Sequence, residues 1–176
     1  MKVLTIKEPY ATLIKEQIKG IETRSWKTNY RGEIYIHASK PKIEKKVLEN
    51  KELMTICENL TFNQGNIICK GNLVDCIYMT EEFIRSLKEN NNIEFICGHY
   101  EVGRYAWIIK DIELIEPIPA QGQLGIWNYD KNKNIRPENC SLNSSKKVWW
   151  KCSKGHEWKS TISNRNYGYG CPYCSK

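Results

Sequence analysis

Residues 4–39 read LTIKEPYATLIKEQIKGIETRSWKTNYRGEIYIHAS and contain much of the information about the fold. The first residues are apolar and predict a short strand, and Pro9 then suits the first turn of a helix. Three apolar residues recur at helical spacing, namely Leu13, Ile14 and Ile18. Gly20 is suited to end that helix, and the β-branched and aromatic residues of EIYIHAS, residues 33–39, predict a second strand.

A dense polar segment, KGIETRSWKTNYRG over residues 19–32, separates the helix from the second strand. Lys19 lies at the end of the helix. If the chain is extended beyond it, Glu22, Arg24 and Trp26 share one face, because side chains alternate along a strand. Spacing alone leaves two interpretations open, a functional cluster or a solvated loop that carries a surface ion pair.

The remaining pattern up to residue 120 alternates strands with helices. Residues 41–60 have apolar residues at the spacing of one helix face and predict one helix. The apolar run over residues 66–79 predicts a buried strand, and Thr80 is a good N-cap for a helix that runs to Leu87. Residues 104–120 predict a long strand or a hairpin. Several strands with few helices predict a small α+β unit, a partly closed β-barrel with helices at its ends.

The length of 176 residues suits one ordinary domain with a small appendage. A polar stretch rich in Asn, Ser and Lys begins at Asp130 and predicts a linker. We therefore predict a barrel domain over residues 1–129 and a smaller domain over residues 130–176. The N-terminus has no long apolar run, so we expect neither a signal peptide nor a membrane span. A cytoplasmic protein without membrane contact is the expectation.

The net charge of +7 lies entirely in the last quarter of the chain. Residues 130–176 contain ten Lys or Arg and three Asp or Glu, whereas residues 1–129 contain 17 of each kind. A localised basic excess with interleaved aromatic residues indicates a polyanion partner, nucleic acid first. Lys159 and Arg165 are the candidate contacts. The alternative is a basic surface that only keeps a small module soluble.

Four of the eight cysteines are scattered along residues 1–129, and three cluster near the C-terminus. The scattered ones lie in apolar surroundings and are expected to be buried, inert thiols: Cys57, Cys69, Cys76 and Cys97. Structural disulfides are not expected, because they are uncommon in a reducing compartment.

Two ligand pairs near the C-terminus predict a metal site. Three residues separate Cys152 from His156, and two separate Cys171 from Cys174. Such pairs let a tight turn present two donors to one tetrahedral ion, and two pairs complete the coordination without water. We predict a structural Zn²⁺ site whose metal supplies folding energy. A redox Cys-x-x-Cys motif is the alternative, and Cys140 is a conceivable substitute ligand.

Around these ligands the sequence follows a W-x-C-x-x-G-H-x-W, Asn-Arg, C-P-x-C pattern. The matching residues are Trp150, Cys152, Gly155, His156, Trp158, Asn164, Arg165, Cys171, Pro172 and Cys174. By this pattern the last quarter of the chain resembles a family of small treble-clef or zinc-ribbon domains. That family often occurs beside nucleic-acid enzymes, so the resemblance implies a zinc ribbon with a nucleic-acid context.

Within residues 1–128 a second pattern combines a Q/E-P-aromatic step, G-x-K-x-x-E-x-R and a later Arg-Gly pair. The matching residues are Glu8, Pro9, Tyr10, Lys19, Glu22, Arg24, Arg31 and Gly32. By this pattern the segment resembles an ASCH domain, a relative of the PUA fold. Gln17 replaces the leading glycine of the motif. The resemblance implies a small PUA-like β-barrel with flanking helices and a cleft beside the first helix, used for RNA or modified nucleosides.

A cleft of this composition suits a nucleic-acid ligand. Lys and Arg meet phosphate or carbonyl oxygens, and a carboxylate accepts hydrogen bonds from base amino groups. Tyr10, Trp26 or Trp107 can stack on a base, or can instead be core residues. We therefore predict binding of RNA or a modified nucleoside, with DNA a further candidate. The candidate ligand-binding residues are Tyr10, Lys19, Glu22, Arg24, Trp26, Arg31, Lys159 and Arg165.

Besides a binding protein, two other classes of function stay open, an enzyme and a protein-interaction adaptor. A branch of ASCH proteins hydrolyses acetylcytidine and shares the motif lysine, here Lys19, but it has a threonine where this chain has Glu22. A nucleoside amidohydrolase that uses Lys19, Glu22 and Arg24 is therefore an alternative. A ribonuclease with Mg²⁺ held by Glu22 and either Asp75 or Glu101 is another. A protein-interaction adaptor is the third class.

Overall fold

The computed structural model describes residues 1–130 and 141–174. The chain divides into two compact units, Met1–Asn128 and Tyr129–Lys176. Cys140, the conceivable substitute metal ligand, lies outside the described residues.

One six-stranded sheet forms the frame of the first unit. Its strands are β1 Lys2–Ile6, β2 Ile21–Arg24, β3 Gly32–Ala38, β4 Asn66–Tyr78, β5 Tyr105–Pro119 and β6 Ile126–Asn128. Their order is β2-β5-β4-β3-β1-β6, and only the β1–β3 pairing among these neighbours is parallel. The register shifts at three places between β4 and β5, and bulges of this kind bend strands. The sheet therefore curls into a half-barrel, which confirms the predicted α+β class.

Five short helices flank the sheet. They are α1 Tyr10–Lys15, α2 Lys45–Leu48, α3 Lys51–Ile56, α4 Glu81–Asn90 and α5 Asn92–Ile96. The prediction of a single helix over residues 41–60 is wrong, because the helical conformation is interrupted between α2 and α3. There the side chain of Asn50 accepts a hydrogen bond from Leu53 N at 3.1 Å and starts a new helix. Among the described residues no helix is long and apolar enough to cross a membrane.

The end of α1 differs from the prediction and sets up the following turn. The helix stops at Lys15, and Gln17 has a positive φ of 59°. The backbone N–H groups of Ile18 and Lys19 both donate to Leu13 O, at 3.0 and 3.1 Å. Ile18 therefore lies outside the helix, and the turn places Lys19 ahead of β2. The glycine that Gln17 replaces suits this left-handed position, because a glycine has no Cβ to clash there.

The core of the half-barrel packs between α1 and the concave side of the sheet. Its fully buried members include Leu4, Ile14, Ile34, Ile36, Leu73 and Trp107. Trp107 Nε1 donates to Trp26 O at 3.3 Å, so its one polar atom is satisfied. Trp107 is thus a core residue and does not present a face for stacking on a base.

The four scattered cysteines are free thiols. Cys57, Cys69 and Cys97 are buried, and Cys76 is half-buried. Burial raises the pKa of Cys69 to about 12 and that of Cys97 to about 11. These thiols stay protonated near neutral pH and are inert, because the thiolate is the reactive form.

The described part of the second unit contains a β-hairpin and one helix. Strands β7 Lys147–Lys151 and β8 Glu157–Thr161 pair antiparallel, and α6 Ile162–Asn166 follows directly. The side chain of Thr161 caps α6 by accepting from Asn164 N at 3.2 Å. The buried apolar residues described in this unit are few: Tyr129, Val148, Trp158, Ile162 and Cys171. A core this small needs a further source of stability.

Gln17→Gly should stabilise the first unit by about 0.5–1 kcal/mol. Glycine adopts the left-handed conformation without strain, and this gain exceeds the extra backbone entropy that glycine loses on folding. The matched control is Glu16→Gly, at the neighbouring position with an ordinary φ of −82°. That change should destabilise by a similar amount. Urea unfolding measures both, and equal destabilisation by the two glycines would contradict the argument.

Candidate functional site

A cleft of about 710 Å³ lies beside α1 in the first unit. Its walls come from the end of β1, the start of α1, the turn into β2 and the segment around α2. Lys19, Glu22 and Arg24 line it together with Tyr10. The structure therefore brings together the four central residues of the sequence motif.

Lys19 is anchored from below the cleft by a buried acidic group. It is only 2% exposed, and its Nζ lies 3.2 Å from both Glu94 Oε1 and the hydroxyl of Tyr100. Glu94 Oε2 also accepts the backbone N–H of Gly20 at 2.5 Å, and the Tyr100 hydroxyl donates to Glu94 Oε1. Burial is the largest cause of a raised pKa at Tyr100, which keeps that phenol protonated. The lysine charge is thus neutralised inside the protein.

Glu22 and Arg24 form the adjacent part of the cleft wall. Glu22 is buried, and its Oε1 lies 3.0 Å from Arg24 Nε. Arg24 Nη2 donates to Thr5 O at 2.8 Å, which ties the start of the cleft to β1. Burial raises the pKa of Glu22, against the opposing attraction of Arg24, Lys19 and Arg104. The site therefore contains a carboxyl group that takes up a proton more readily than one in water.

Glu8 is a second buried carboxyl group in the cleft lining. It accepts hydrogen bonds from Thr12 N at 3.0 Å and Thr12 Oγ1 at 2.8 Å. Burial is the largest cause of its raised pKa, and the bonds from Thr12 work against it. Its oxygens fix the first turn of α1, so Glu8 holds the helix from which Tyr10 projects.

The charge of the lining is predominantly positive. Six basic residues contribute to it: Lys7, Lys19, Arg24, Lys42, Lys46 and Arg104. Three carboxylates oppose them: Glu8, Glu22 and Glu44. Lys42 and Lys46 are exposed at the rim, in contrast to the buried Lys19. The rim therefore attracts anions, while the buried charges are balanced within the protein.

Two residues of the predicted cluster lie apart from the cleft lining. Trp26 follows the end of β2, is 39% exposed and packs edge-on against Trp107 with ring centroids 4.6 Å apart. Arg31 Nη2 pairs with Asp75 Oδ1 at 3.1 Å. Ligand roles for Trp26 and Arg31 stay predictions, since neither residue contributes to the cleft wall.

The carboxylates of the predicted magnesium arrangement each have another partner in the structure. Asp75 is engaged by Arg31, and Glu101 Oε2 lies 3.0 Å from His99 Nε2. Neither Asp75 nor Glu101 lines the cleft with Glu22. The Glu22 carboxylate is instead paired with Arg24.

Glu94, Tyr100 and Arg104 are site residues that sequence reasoning missed. Glu94 lies 75 positions from Lys19, and nothing local marks the pairing. An available signal was Asn91, whose side chain accepts a hydrogen bond from Glu94 N at 3.1 Å and caps α5 just after the end of α4. Arg104 Nη2 donates to Thr23 O at 3.3 Å and holds β2 next to β5.

The four predicted metal ligands of the second unit converge. Their ligand atoms, Sγ of Cys152, Cys171 and Cys174 and Nδ1 of His156, all lie within 4.8 Å of one another. Zn–S bonds of about 2.3 Å and Zn–N bonds of about 2.0–2.1 Å at tetrahedral angles require S···S near 3.8 Å and N···S near 3.5 Å. The separation of Cys152 Sγ from Cys174 Sγ is 3.8 Å. His156 Nδ1 lies 3.5 Å from Cys152 Sγ, 3.4 Å from Cys174 Sγ and 3.7 Å from Cys171 Sγ.

The two predicted basic contacts of this unit have partners within it. Lys159 Nζ is exposed and lies 3.8 Å from Asp130 Oδ2, which also accepts from Trp149 Nε1 at 2.7 Å. The Arg165 guanidinium lies over the rings of Trp150 and Trp158, at 5.2 and 5.6 Å from their centroids. Binding of nucleic acid by Lys159 and Arg165 stays a prediction.

A half-barrel with a basic cleft and a separate Cys₃His cluster defines a small α+β protein with a structural zinc site. The sequence profile of the ASCH domain matches residues 4–124, and one described as "Probable Treble clef zinc finger domain" matches residues 124–176. The chain therefore belongs to the ASCH domain family, and the predicted resemblances are confirmed. The family match and the geometry of the cluster confirm structural zinc, and together the two domains support a nucleic-acid-binding role.

A solved structure gives a more distant comparison. "Crystal structure of ASCH from Zymomonas mobilis" is 17% identical to this chain, with a TM-score of 0.44. The alignment covers 67% of this chain and 72% of that chain. A comparison with curated proteins finds no match.

Cys174→Ser should abolish stoichiometric zinc binding and unfold the second unit, because metal binding supplies the folding energy of such a small core. The matched control is Cys76→Ser, which changes a half-buried cysteine outside the cluster and should keep the zinc. Elemental analysis reports zinc per chain, and limited proteolysis reports which unit becomes accessible. Full zinc content in Cys174→Ser would refute the four-ligand assignment.

Glu22→Gln should change how stability depends on pH. Because burial raises the pKa of Glu22 above 4.5 in the folded state, the folded state binds the proton more tightly than the unfolded one. Wild-type stability should therefore fall relative to Glu22→Gln as pH rises from 4.5 through the raised pKa. Urea unfolding from acid to neutral pH measures the difference, with Glu52→Gln on α3 as the exposed, charge-matched control. A difference that stays constant with pH would contradict the shift.

Proposed function

We propose that the protein binds RNA or a modified nucleoside in the cleft of the ASCH domain, and that the zinc finger adds affinity for nucleic acid. The observation that carries the proposal is the cleft itself. It measures about 710 Å³, within the range of small-ligand sites, and its lining has six basic residues against three carboxylates. A nucleotide combines the size and the negative charge that such a cleft accommodates.

Three kinds of side chain each contact a different part of the ligand in this proposal. The exposed rim lysines, Lys42 and Lys46, attract phosphates without reading sequence. The fixed carboxyl group of Glu22 accepts from a base amino group when charged and donates when protonated. The half-buried ring of Tyr10 offers an apolar surface for a base.

The zinc finger contributes charge rather than chemistry. Residues 130–176 carry the whole net charge of +7, and Lys151, Lys154 and Lys159 are exposed. Four protein ligands fill a tetrahedral zinc ion, which leaves no position for a substrate or a reactive water. The role of the zinc finger in the proposal is therefore electrostatic attraction of the phosphate backbone.

A hydrolase is the second candidate, favoured by the buried polar groups of the cleft. Glu22, with its raised pKa, and the Lys19–Glu94 pair lie in and beneath one cleft wall. Perturbed carboxyl groups beside fixed cations are typical of acid–base catalysis. Hydrolysis of an acetylated cytidine or of RNA would use Glu22 and Lys19. An adaptor function has no comparable feature in its favour.

Removal of the rim charges should weaken RNA binding. The Lys42→Gln/Lys46→Gln double variant should reduce the slope of log K against log salt by about 0.7 for each lost phosphate contact. The matched control is Lys45→Gln/Lys51→Gln, which removes the same charge from exposed lysines of α2 and α3 outside the cleft lining. Filter binding of cellular RNA to zinc-loaded protein, over a series of salt concentrations, measures both slopes.

The same experiment separates the candidate functions. Nucleoside analysis of the retained RNA identifies an enriched modified base, and analysis of the supernatant detects acetate or cleaved RNA. Release of either product, lost in Glu22→Gln, would establish the hydrolase. If the wild-type protein retained no RNA at low salt, the binding proposal would fail.

A further inference from the structure

Three tyrosines of the zinc finger are strongly exposed. Tyr167, Tyr169 and Tyr173 are 71%, 67% and 62% accessible to solvent. They fall in the short sequence YGYGCPYC, residues 167–174, between α6 and the last zinc ligand. The same unit buries Trp158 but has a small core. Burial of the three tyrosine rings would stabilise it, yet the rings stay exposed.

The backbone of this tyrosine segment is fixed at both ends. Tyr167 N donates to Ser163 O at 2.9 Å, and Tyr169 N donates to Asn164 O at 3.1 Å, so both follow directly from α6. Tyr173 lies between the ligands Cys171 and Cys174, and its ring centroid is 5.5 Å from that of His156. Rings on a backbone held by a helix and a metal site lose little freedom when a ligand binds.

Arg165 supports this segment. Its Nη1 donates to Tyr169 O, and its guanidinium is held over the rings of Trp150 and Trp158. The tryptophan pair therefore positions Arg165, and Arg165 in turn positions the backbone at Tyr169. This chain of contacts links the hairpin to the exposed tyrosines.

The charge of the unit that carries the tyrosines indicates the kind of partner. The unit is strongly basic, with exposed lysines at positions 146, 147, 151 and 154, and so it complements a polyanion. Tyr167 and Tyr169 have only glycines and Asn166 as neighbours, and Tyr173 lies between Pro172 and Cys174. None of these neighbours is Leu, Ile, Val or Met, the side chains that would form the core of a protein interface. Aromatic rings beside basic residues are the combination that binds single strands, whose bases are free to stack.

We propose that Tyr167, Tyr169 and Tyr173 form a stacking platform for unpaired bases of single-stranded RNA or DNA. The proposal rests on the nucleic-acid role proposed for the zinc finger and specifies how that unit binds. The lysines hold the backbone phosphates, and the rings hold the bases. A duplex is bound less well, because its bases are already stacked on each other and paired.

The test uses full-length zinc-loaded protein and a labelled oligouridine of about 12 nucleotides, within the range of single-strand site sizes. Tyr167→Ala, Tyr169→Ala and Tyr173→Ala should each weaken binding about tenfold, with an unchanged slope against salt because no charge is lost. The corresponding Tyr→Phe variants keep the ring and should bind like wild type. Leu142→Ala, which removes an exposed apolar side chain from the same unit, is the matched control.

Further arms identify the ligand. An oligothymidine of the same length shows whether the 2′-hydroxyl matters, and an RNA duplex of that length should bind more weakly than oligouridine. Zinc content of each variant confirms that the unit remains folded. Alanine variants that keep zinc and bind oligouridine as tightly as wild type would overturn the platform and leave the proposed function standing. The platform would also be overturned if the Phe variants lost as much affinity for oligouridine as the Ala variants. The same holds if the Ala variants bound RNA normally but no longer bound a protein partner of the wild type. If the wild-type protein does not bind oligouridine, both the platform and the role of the zinc finger fail.

Discussion

A lysine side chain taken out of water carries a large desolvation cost unless an opposite charge accompanies it, and the cleft is built around one such lysine. Glu94 neutralises Lys19, holds the N–H of Gly20 and accepts from Tyr100. The pair joins the turn after α1 to α5, two segments far apart in the chain. Because the turn leads straight into β2, the same contacts fix where Glu22 and Arg24 enter the cleft. Loss of either charge would leave the other buried alone, so the cleft keeps its shape only while both are present.

The second unit solves its stability problem by a different constraint. The buried apolar residues that the structure describes there are too few for a stable core, and four ligands that converge on one metal ion replace the missing hydrophobic contacts. The metal also explains why aromatic surface can stay exposed. A unit that is stabilised by coordination does not need to bury Tyr167, Tyr169 and Tyr173, and these rings remain available for a ligand.

Local chemistry determines which parts of the fold were predictable from sequence. The zinc ligands sit in short, fixed spacings, so Cys152 and His156 could be assigned without knowledge of the fold. The strands with continuous apolar runs were predictable for the same reason. The break at Asn50 was missed because charges and apolar residues continue at helical spacing through it, and only the cap reveals a new helix. The partner of Lys19 was unpredictable, since Glu94 is brought to it by the closure of the whole half-barrel.

The buried pairing also changes the meaning of the sequence motif. A motif lysine suggests direct contact with a phosphate, yet Lys19 is already satisfied by a carboxylate and a phenol. An anionic ligand gains little binding energy from Lys19, because Glu94 already offsets the charge of that lysine. In the proposed function, the exposed lysines of the rim therefore attract the anion, and Lys19 contributes by shaping the wall. Glu22 differs, because its raised pKa lets it take up a proton more readily than a carboxyl group in water. The motif thus combines a structural lysine with a chemically responsive glutamate, two roles that spacing alone does not distinguish.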